Sequence, residues 1–253
     1  MGKSHSRSWI YLGLYILLLF GAATIFHFTL APLALRFLGE NSIAFAFVEP
    51  LWKLLFWIMP MFLFLTYNAQ RPVISYLKLD HQVKKGLAWG MIGSSFFVLR
   101  GVVFLLSGYH LILAHTPNDW LNSVLLVGII EESIFRGFLY QWIRDALASS
   151  NGPKVDTIAV LQDEEVDELL IKLREWLPKR NEVWAALLST FLFAAIHFPS
   201  WIALQAPLWL IMTSTAFNIF FGLVQCGLLK YSNSLWSCVI FHMMDDLVIL
   251  LFQ

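Results

Sequence analysis

Charged side chains are scarce in this sequence. Asp, Glu, Lys and Arg make up 13% of the 253 residues, whereas soluble domains contain about 25%. The 17 basic and 17 acidic residues cancel to a net charge of zero, which removes any bulk electrostatic basis for binding nucleic acid. Cysteine is equally scarce. Cys226 and Cys238 both lie in apolar stretches, so no disulfide framework or CxxC pair is predicted.

Apolar side chains take the place of the missing charge. Hydrophobic residues make up 58% of the chain and aromatic residues 16%, and the mean hydropathy is +0.69. A soluble globule cannot bury so much apolar surface, and disordered chains are far less apolar. The composition therefore predicts an all-α, multi-pass protein of the membrane that forms a single integral membrane domain over residues 1–253.

Seven stretches are long and apolar enough to cross a hydrocarbon core, which takes roughly 20 residues. The fifth stretch is short, and we expect it to continue past Pro199 as a kinked helix. The predicted spans are 9–29, 43–66, 87–106, 120–143, 183–198, 207–229 and 235–252.

The connections between these stretches alternate in charge. Because cytoplasmic loops carry an excess of Lys and Arg, the pattern predicts a cytoplasmic N-terminus and an external C-terminus, in what we expect to be a bacterial plasma membrane. On the other side, the connections carry Arg36 as their single Lys or Arg residue. The basic side holds Lys3, Arg7, Arg71, Lys78, Lys84, Lys85, Lys230 and the whole segment 144–182.

Residues 144–182 form a charged insert between the fourth and fifth spans. The insert holds nine acidic and six basic residues. Leucine and valine side chains within 163–177 recur at helical spacing, with acids first and bases last, as suits the helix dipole. We predict a cytoplasmic amphipathic helix that rests against the bundle or the lipid headgroups, in preference to a partner-binding site.

Ionisable residues within a membrane span are costly and usually face a cavity or a partner. Glu132 and Arg136 in the fourth span are four residues apart and can neutralise each other. Glu131 points about 100° away from Glu132 on the helix. Glu131 is therefore expected to lack that partner and to face a cavity, where a carboxylate can act as a general base.

Other buried charges are predicted to be structural. Glu49 and Lys53 are four residues apart in the second span and are expected to form an ion pair that fixes packing or lines the rim of a cavity. Arg100 is expected to balance an acid elsewhere. Three histidines near span ends or in a loop need no functional explanation: His27, His110 and His115.

Polar side chains on three further spans complete a candidate site. His197 lies on the fifth span, whereas His242 and Asp246 share a face of the seventh at four-residue spacing. The sixth span is expected to bring Asn218 and Gln225 inward. Convergence of this kind is what a buried polar site requires, and it favours a shared active site over scattered structural groups.

Three motifs in this half of the chain resemble those of the CPBP family, the intramembrane CAAX proteases and bacteriocin-processing (Abi) enzymes. The family motifs EExxxR, FxxxH and HxxxN or HxxxD follow in order on successive membrane helices. Here they read Glu131-Glu132-Ser-Ile-Phe-Arg136, Phe193-Ala-Ala-Ile-His197 and His242-Met-Met-Asp245-Asp246. The resemblance covers residues 125–250, and we predict that residues 120–253 form the catalytic core.

The resemblance implies an intramembrane endopeptidase that is similar to type II CAAX prenyl endopeptidases. Carried over by position, Glu131 and His197 would activate water, the pair of Glu132 and Arg136 would hold the site together, and His242 with the residue at 246 would stabilise the oxyanion. Part of the family has Asn where this chain has Asp246. Since an ionised Asp would repel an oxyanion, Asp246 is expected to be protonated, to orient His242 or to ligate a metal.

The sequence leaves the cofactor open. His197, His242, Asp246 and Glu131 would make a plausible zinc set. Glu131 and Glu132 lack the HExxH spacing, which favours a mechanism without metal. The expected substrate is a membrane-associated protein or peptide, either prenylated or a peptide precursor, and peptide processing ranks above CAAX cleavage.

Two other function classes stay open from the residues alone. A non-catalytic bacteriocin-immunity or binding protein of the same fold is one, although the three intact motifs argue against it. A proton-coupled transporter is the other, and the chain lacks the inverted repeats typical of such carriers.

Overall fold

The computed structural model describes residues 2–40, 42–112, 114–150 and 178–252. Within these ranges the chain is helical and contains no strand, which confirms the predicted all-α bundle. The amphipathic helix predicted within 163–177 lies outside the described residues. Of the insert, residues 144–150 end the fourth helical segment and residues 178–182 begin the fifth.

Seven helical segments in the described ranges correspond to the seven predicted stretches. A short helix, Val73–Tyr76, lies in the connection between the second and third. The first segment comprises Gly2–Ile25, Phe26–Leu30 and Ala31–Leu38; the second comprises Ile43–Ala46, Val48–Lys53, Leu54–Ile58, Met59–Leu63 and Phe64–Asn68; the third is Val83–Leu106; the fourth comprises Asp119–Leu126, Val127–Glu132, Ser133–Tyr140 and Gln141–Ser150; the fifth comprises Arg180–Ala195 and Phe198–Ala203; the sixth is Leu208–Ser232; and the seventh is Trp236–Leu251.

Five of the segments are long and apolar enough to cross a membrane, judged by length and composition. They are Trp9–Leu38, Ile43–Tyr67, Val83–Leu106, Arg180–Ala203 and Leu208–Ser232. The fourth segment carries both acids and the arginine of the first motif, and the helix Trp236–Leu251 has 16 residues. The protein is thus an integral membrane protein with five candidate spans, and seven crossings with a cytoplasmic N-terminus stay a prediction.

Short π-helical stretches interrupt three segments close to the predicted site. They include Phe26–Leu30, Leu54–Ile58 and Ser133–Tyr140. Pro32 and Pro60 follow the first two, and a proline both lacks an N–H group and crowds the carbonyl four residues earlier. The wider π turn relieves that crowding, and π turns are frequent at functional sites.

Glycines allow the third and seventh segments to pack closely. A Cβ atom at Gly86 would lie 2.5 Å from Ser234 Oγ, two residues before the seventh segment begins, and one at Gly90 would lie 2.8 Å from Ile240 Cβ. Side chains larger than hydrogen are therefore excluded at both positions, as is typical of small-residue contacts between membrane helices. This packing brings Arg100 of the third segment within reach of the seventh.

The fifth segment bends at His197, as predicted from Pro199. The helix Arg180–Ala195 ends there and Phe198–Ala203 begins. The amide of His197 bonds to the carbonyl of Ala194 at 3.4 Å, so it does not bond to the carbonyl of Phe193 four residues earlier. His197 Nδ1 lies 2.8 Å from that freed carbonyl oxygen. The bend and the orientation of the imidazole therefore have one cause.

Candidate active site

Four of the six predicted site residues line one cavity. The cavity has a volume of about 250 Å³ and is enclosed by the first, second, fourth, fifth and seventh segments. Glu131, His197, His242 and Asp246 all contribute to its wall. The remaining lining residues are Ala23, His27, Glu49, Lys53, Trp57, Asn122, Ser123, Val127, Ile196 and Ser200.

Glu131 faces this cavity, and its partner there is a lysine of another helix rather than Arg136. Lys53 Nζ lies 2.7 Å from Glu131 Oε1, and both side chains are less than one-tenth exposed. Helical spacing identifies only partners on the same helix, whereas Lys53 comes from the second segment, 78 positions away. The cation engages one carboxylate oxygen of Glu131 and holds that side chain at the cavity wall.

Lys53 also forms the predicted ion pair with Glu49. Lys53 Nζ lies 2.7 Å from Glu49 Oε1, which confirms the pair. The amide of Asn122 donates to Glu49 Oε2 at 2.9 Å, and the ammonium group lies 5.1 Å from the centre of the Trp57 ring. Lys53 is thus fixed by two carboxylates and an aromatic face, and a charge-assisted contact of this kind is strong where water is scarce.

Glu132 and Arg136 lie directly behind the cavity and form the predicted pair. Arg136 Nη1 donates to Glu132 Oε1 at 3.1 Å, and neither side chain has any exposed surface. The guanidinium lies 4.1 Å from the centre of the Phe193 ring. A Cβ atom at Gly222 would meet Arg136 Nη2 at 2.7 Å, so glycine leaves the space that the arginine fills.

His242 connects this pair to the cavity. His242 Nδ1 lies 2.7 Å from Glu132 Oε1. A carboxylate that is paired with arginine can only accept a hydrogen bond, so Nδ1 is the donor. His242 Nε2 then points toward Asp246 Oδ2, 3.5 Å away, which confirms that the two side chains share a face.

His197 is oriented by its own backbone. Its Nδ1 must donate to the carbonyl of Phe193, since a carbonyl oxygen only accepts. The ring also stacks on Trp201, with centroids 5.7 Å apart. When the imidazole is neutral, its one N–H hydrogen is on Nδ1. Nε2 then has a free lone pair, which faces the cavity.

A second cavity of about 580 Å³ adjoins the first and shares His197, His242 and Asp246 with it. Much of its wall is aromatic. The other lining residues are Phe96, Arg100, Phe193, Trp201, Thr213, Ser214, Phe217, Asn218, Phe221, Asp245 and Ile249.

Three predictions concern groups in or near this second cavity. Arg100 Nη1 donates to Asp245 Oδ1 at 3.1 Å, so the predicted counter-charge role of Arg100 is confirmed. Asn218 lines the cavity as expected. Gln225 also faces inward, since its side chain is fully buried between the sixth and seventh segments, but it lines neither cavity and donates to the carbonyl of Cys238 at 3.4 Å. Gln225 therefore packs helices together.

The four residues of the candidate zinc set line the same cavity. Among the described residues, no group of three or more His, Cys, Asp or Glu side chains could hold an ion. The candidate zinc set also has other partners: Lys53 engages Glu131, and the Nδ1 atoms of His197 and His242 bond within the protein. A cation bound at Glu131 would be repelled by the ammonium group already there.

Several polar groups of the first cavity are not predicted by the sequence pattern. His27 was interpreted as an interfacial histidine, yet it lines the cavity beside Lys53. Asn122 and Ser123 were not singled out at all. The signal that was present is positional: Ser123 lies eight residues, about two helical turns, before Glu131 on the fourth segment.

Comparison with known proteins gives one match. A family model described as type II CAAX prenyl endopeptidase Rce1-like matches residues 113–248, which is more than half of the chain. The matched region contains all six predicted site residues, from Glu131 to Asp246. No curated protein and no solved structure matches the chain.

Proposed function

Since the chain belongs to the Rce1-like family of type II CAAX prenyl endopeptidases, we propose that its first cavity hydrolyses a peptide bond of a membrane-associated protein or peptide. The observation that carries the proposal is the convergence of Glu131, held by Lys53, with His197 and His242 on one polar cavity. Membranes that contain the protein, incubated with a library of quenched fluorescent peptides, are expected to release fluorescence. Cleavage of none of these peptides and of no endogenous membrane protein would contradict the proposal.

Glu131 and His197 are assigned to the attacking water. Lys53 engages Oε1 of Glu131, which leaves the other carboxylate oxygen for the water. The carboxylate takes one proton of the water as the oxygen bonds to the carbonyl carbon, and His197 Nε2 accepts a hydrogen bond from the second hydrogen. When the C–N bond breaks, Glu131 returns the proton to the leaving amine, so that an acid and an amine are released.

His242 is assigned to the oxyanion. Because its Nδ1 donates to Glu132, a hydrogen on Nε2 is required to stabilise the negative oxygen. That protonated ring would lie between the carboxylates of Glu132 and Asp246 and would form a charge pair on each side. We therefore assign Asp246 to orienting His242 and balancing its charge, rather than to donating a hydrogen bond itself.

The second cavity is assigned to the substrate. Its volume of about 580 Å³ and its aromatic wall suit apolar side chains of a peptide. The three residues shared by the two cavities, His197, His242 and Asp246, lie where the scissile bond would have to be placed. The second cavity would then hold the residues on one side of that bond.

Replacing Lys53 with glutamine is expected to slow hydrolysis by about 10²-fold, the loss that a displacement of roughly 1 Å at a reacting group can cause. The physical reason is that Glu131 loses the cation that fixes its carboxylate. The measurement is kcat and KM for any peptide the membranes cleave, with the amount of folded protein determined for each variant.

Two variants accompany this test. Lys53→Arg keeps the charge and is expected to recover part of kcat. Lys230→Gln removes a lysine that pairs with Glu182 at 2.8 Å, far from the cavity, and is expected to leave kcat unchanged. A full rate in folded Lys53→Gln would show that Lys53 does not position Glu131.

Chelation of metal ions is expected to leave hydrolysis unchanged. The reason is that the positive charge beside Glu131 comes from Lys53 at 2.7 Å, which would repel a metal cation bound at that carboxylate. The measurement is activity before and after treatment with a strong zinc chelator. Activity that is lost on chelation and restored by zinc would overturn the metal-independent mechanism.

A further inference from the structure

The groups assigned to catalysis lie toward one end of the helix bundle. Lys53 and Glu131 lie in the N-terminal halves of the second and fourth segments, whereas His197 and Asp246 lie toward the C-terminal ends of the fifth and seventh. We call this the cavity end. The connections 39–42, 107–118 and 204–207 join the segments there.

The second cavity lies at the same end. Arg100 is in the last turns of the third segment, and Thr213 and Asn218 are in the first half of the sixth. The amide of Ile112 donates to the carbonyl of Leu251 at 3.0 Å, which ties the connection 107–118 to the end of the seventh segment. Both cavities therefore occupy one half of the bundle.

The opposite end carries the basic residues, and contacts between connections define it as one surface. Arg71 pairs with Asp145 at 3.2 Å, and Lys230 pairs with Glu182 at 2.8 Å. The amide of Leu235 donates to the carbonyl of Lys78 at 3.1 Å. This end, which we call the basic end, holds Lys3 and Arg7 near the start of the first segment, and its other basic residues in the described part of the chain are Arg71, Lys78, Lys84, Lys85, Arg144, Lys179, Arg180 and Lys230.

The charge at the cavity end has the other sign. Among the described residues its connections and helix ends carry Arg36 and Arg100 as basic residues, Arg100 being paired with Asp245, together with the acids Glu40 and Asp119. Short loops that are rich in Lys and Arg stay in the cytoplasm. A bundle with this distribution is expected to insert with its basic end toward the cytoplasm and its cavity end away from it.

We infer that the two cavities lie in the half of the membrane that faces away from the cytoplasm, and that the substrate is a polypeptide segment that reaches them from that side. The substrate class is then a translocated peptide precursor, or the external part of a membrane protein. The cytoplasmic C-terminus of a prenylated protein would lie on the wrong side of the bundle. The location stands on charge and geometry, and the substrate class rests on the proposed function.

The location is tested by measuring from which side of the membrane single introduced cysteines can be labelled. Cys226 and Cys238 are buried thiols, so the labelling of the wild-type protein gives the background level. Glu40→Cys and Ser123→Cys place a thiol at the cavity end and at the exposed rim of the first cavity, and Lys84→Cys places a matched thiol at the basic end. A charged maleimide that does not cross membranes is expected to label the first two variants in right-side-out vesicles and Lys84→Cys in inside-out vesicles.

The outcomes separate the inference from the proposed function. Labelling with the sides exchanged, or labelling of either end from both sides, would overturn the location. For the substrate class, a charged quenched fluorescent peptide is supplied to each vesicle type. Cleavage in right-side-out vesicles alone is expected. Cleavage in inside-out vesicles alone would refute the substrate class and leave the protease intact, whereas cleavage in neither, with the expected labelling, would refute the proposed function and leave the location intact.

Discussion

Replacing Glu131 with glutamine is expected to lower the rate of peptide-bond hydrolysis by about 10³-fold, within the range that general-base catalysis contributes. Glutamine has nearly the same size, but its amide cannot take a proton from water. The fold is expected to survive, because Lys53 keeps its pair with Glu49 at 2.7 Å after the change. The expected loss is therefore in kcat, with little change in the amount of folded protein.

The control for this variant makes the same chemical change outside the cavity. Glu40 is exposed in the connection between the first and second segments, and Glu40→Gln is expected to keep the full rate. Both variants are compared with the wild type in membranes, with product peptides quantified by mass spectrometry. Hydrolysis by Glu131→Gln at more than a tenth of the wild-type rate would remove Glu131 from the role of base.

Replacing Arg136 with alanine is expected to destabilise the bundle by about 3–5 kcal/mol, the typical cost of breaking a buried ion pair from one side. Glu132 would keep its negative charge in a place with no exposed surface. Its other contact, His242 Nδ1 at 2.7 Å, would lose its fixed acceptor geometry. The variant is therefore expected to lose both folded yield and activity, measured by size-exclusion chromatography and thermal unfolding.

Two companion variants show that the loss comes from the unpaired charge. Glu132→Gln combined with Arg136→Met removes both charges and is expected to recover folded yield, but not activity, because His242 still lacks its carboxylate. Arg71→Met breaks a half-exposed pair with Asp145, and pairs of that kind contribute only about 0–1 kcal/mol. Full folded yield of Arg136→Ala would contradict the structural role of the pair.

Contacts within one helix were predictable from the sequence, and contacts between helices were not. The pairs Glu132 with Arg136 and Glu49 with Lys53 follow from four-residue spacing, and both are present. The partner of Glu131 was missed because it comes from another segment. Spacing along a chain carries no information about which side chain a neighbouring helix brings to the same point.

The two polar residues of the sixth segment show the same limit. Asn218 and Gln225 are seven positions apart, which is about two turns, and the sequence predicted that both would face the site. Asn218 does so, but Gln225 is buried deeper, against Cys238. The direction of a helical face could be predicted, whereas the depth at which the cavity ends depends on how the helices pack. The bend at His197 was predictable because Pro199 produces it locally.

Hydrolysis in this cavity would use water to cleave the peptide bond, with Glu131 as the base. The most direct test incubates membranes that contain the wild type or Glu131→Gln in water enriched in oxygen-18 and analyses the released peptides by mass spectrometry. We expect new C-terminal carboxylates that carry one oxygen-18 atom with the wild type, and none above background with Glu131→Gln. Identical peptide pools and identical labelling from the two proteins would contradict this expectation.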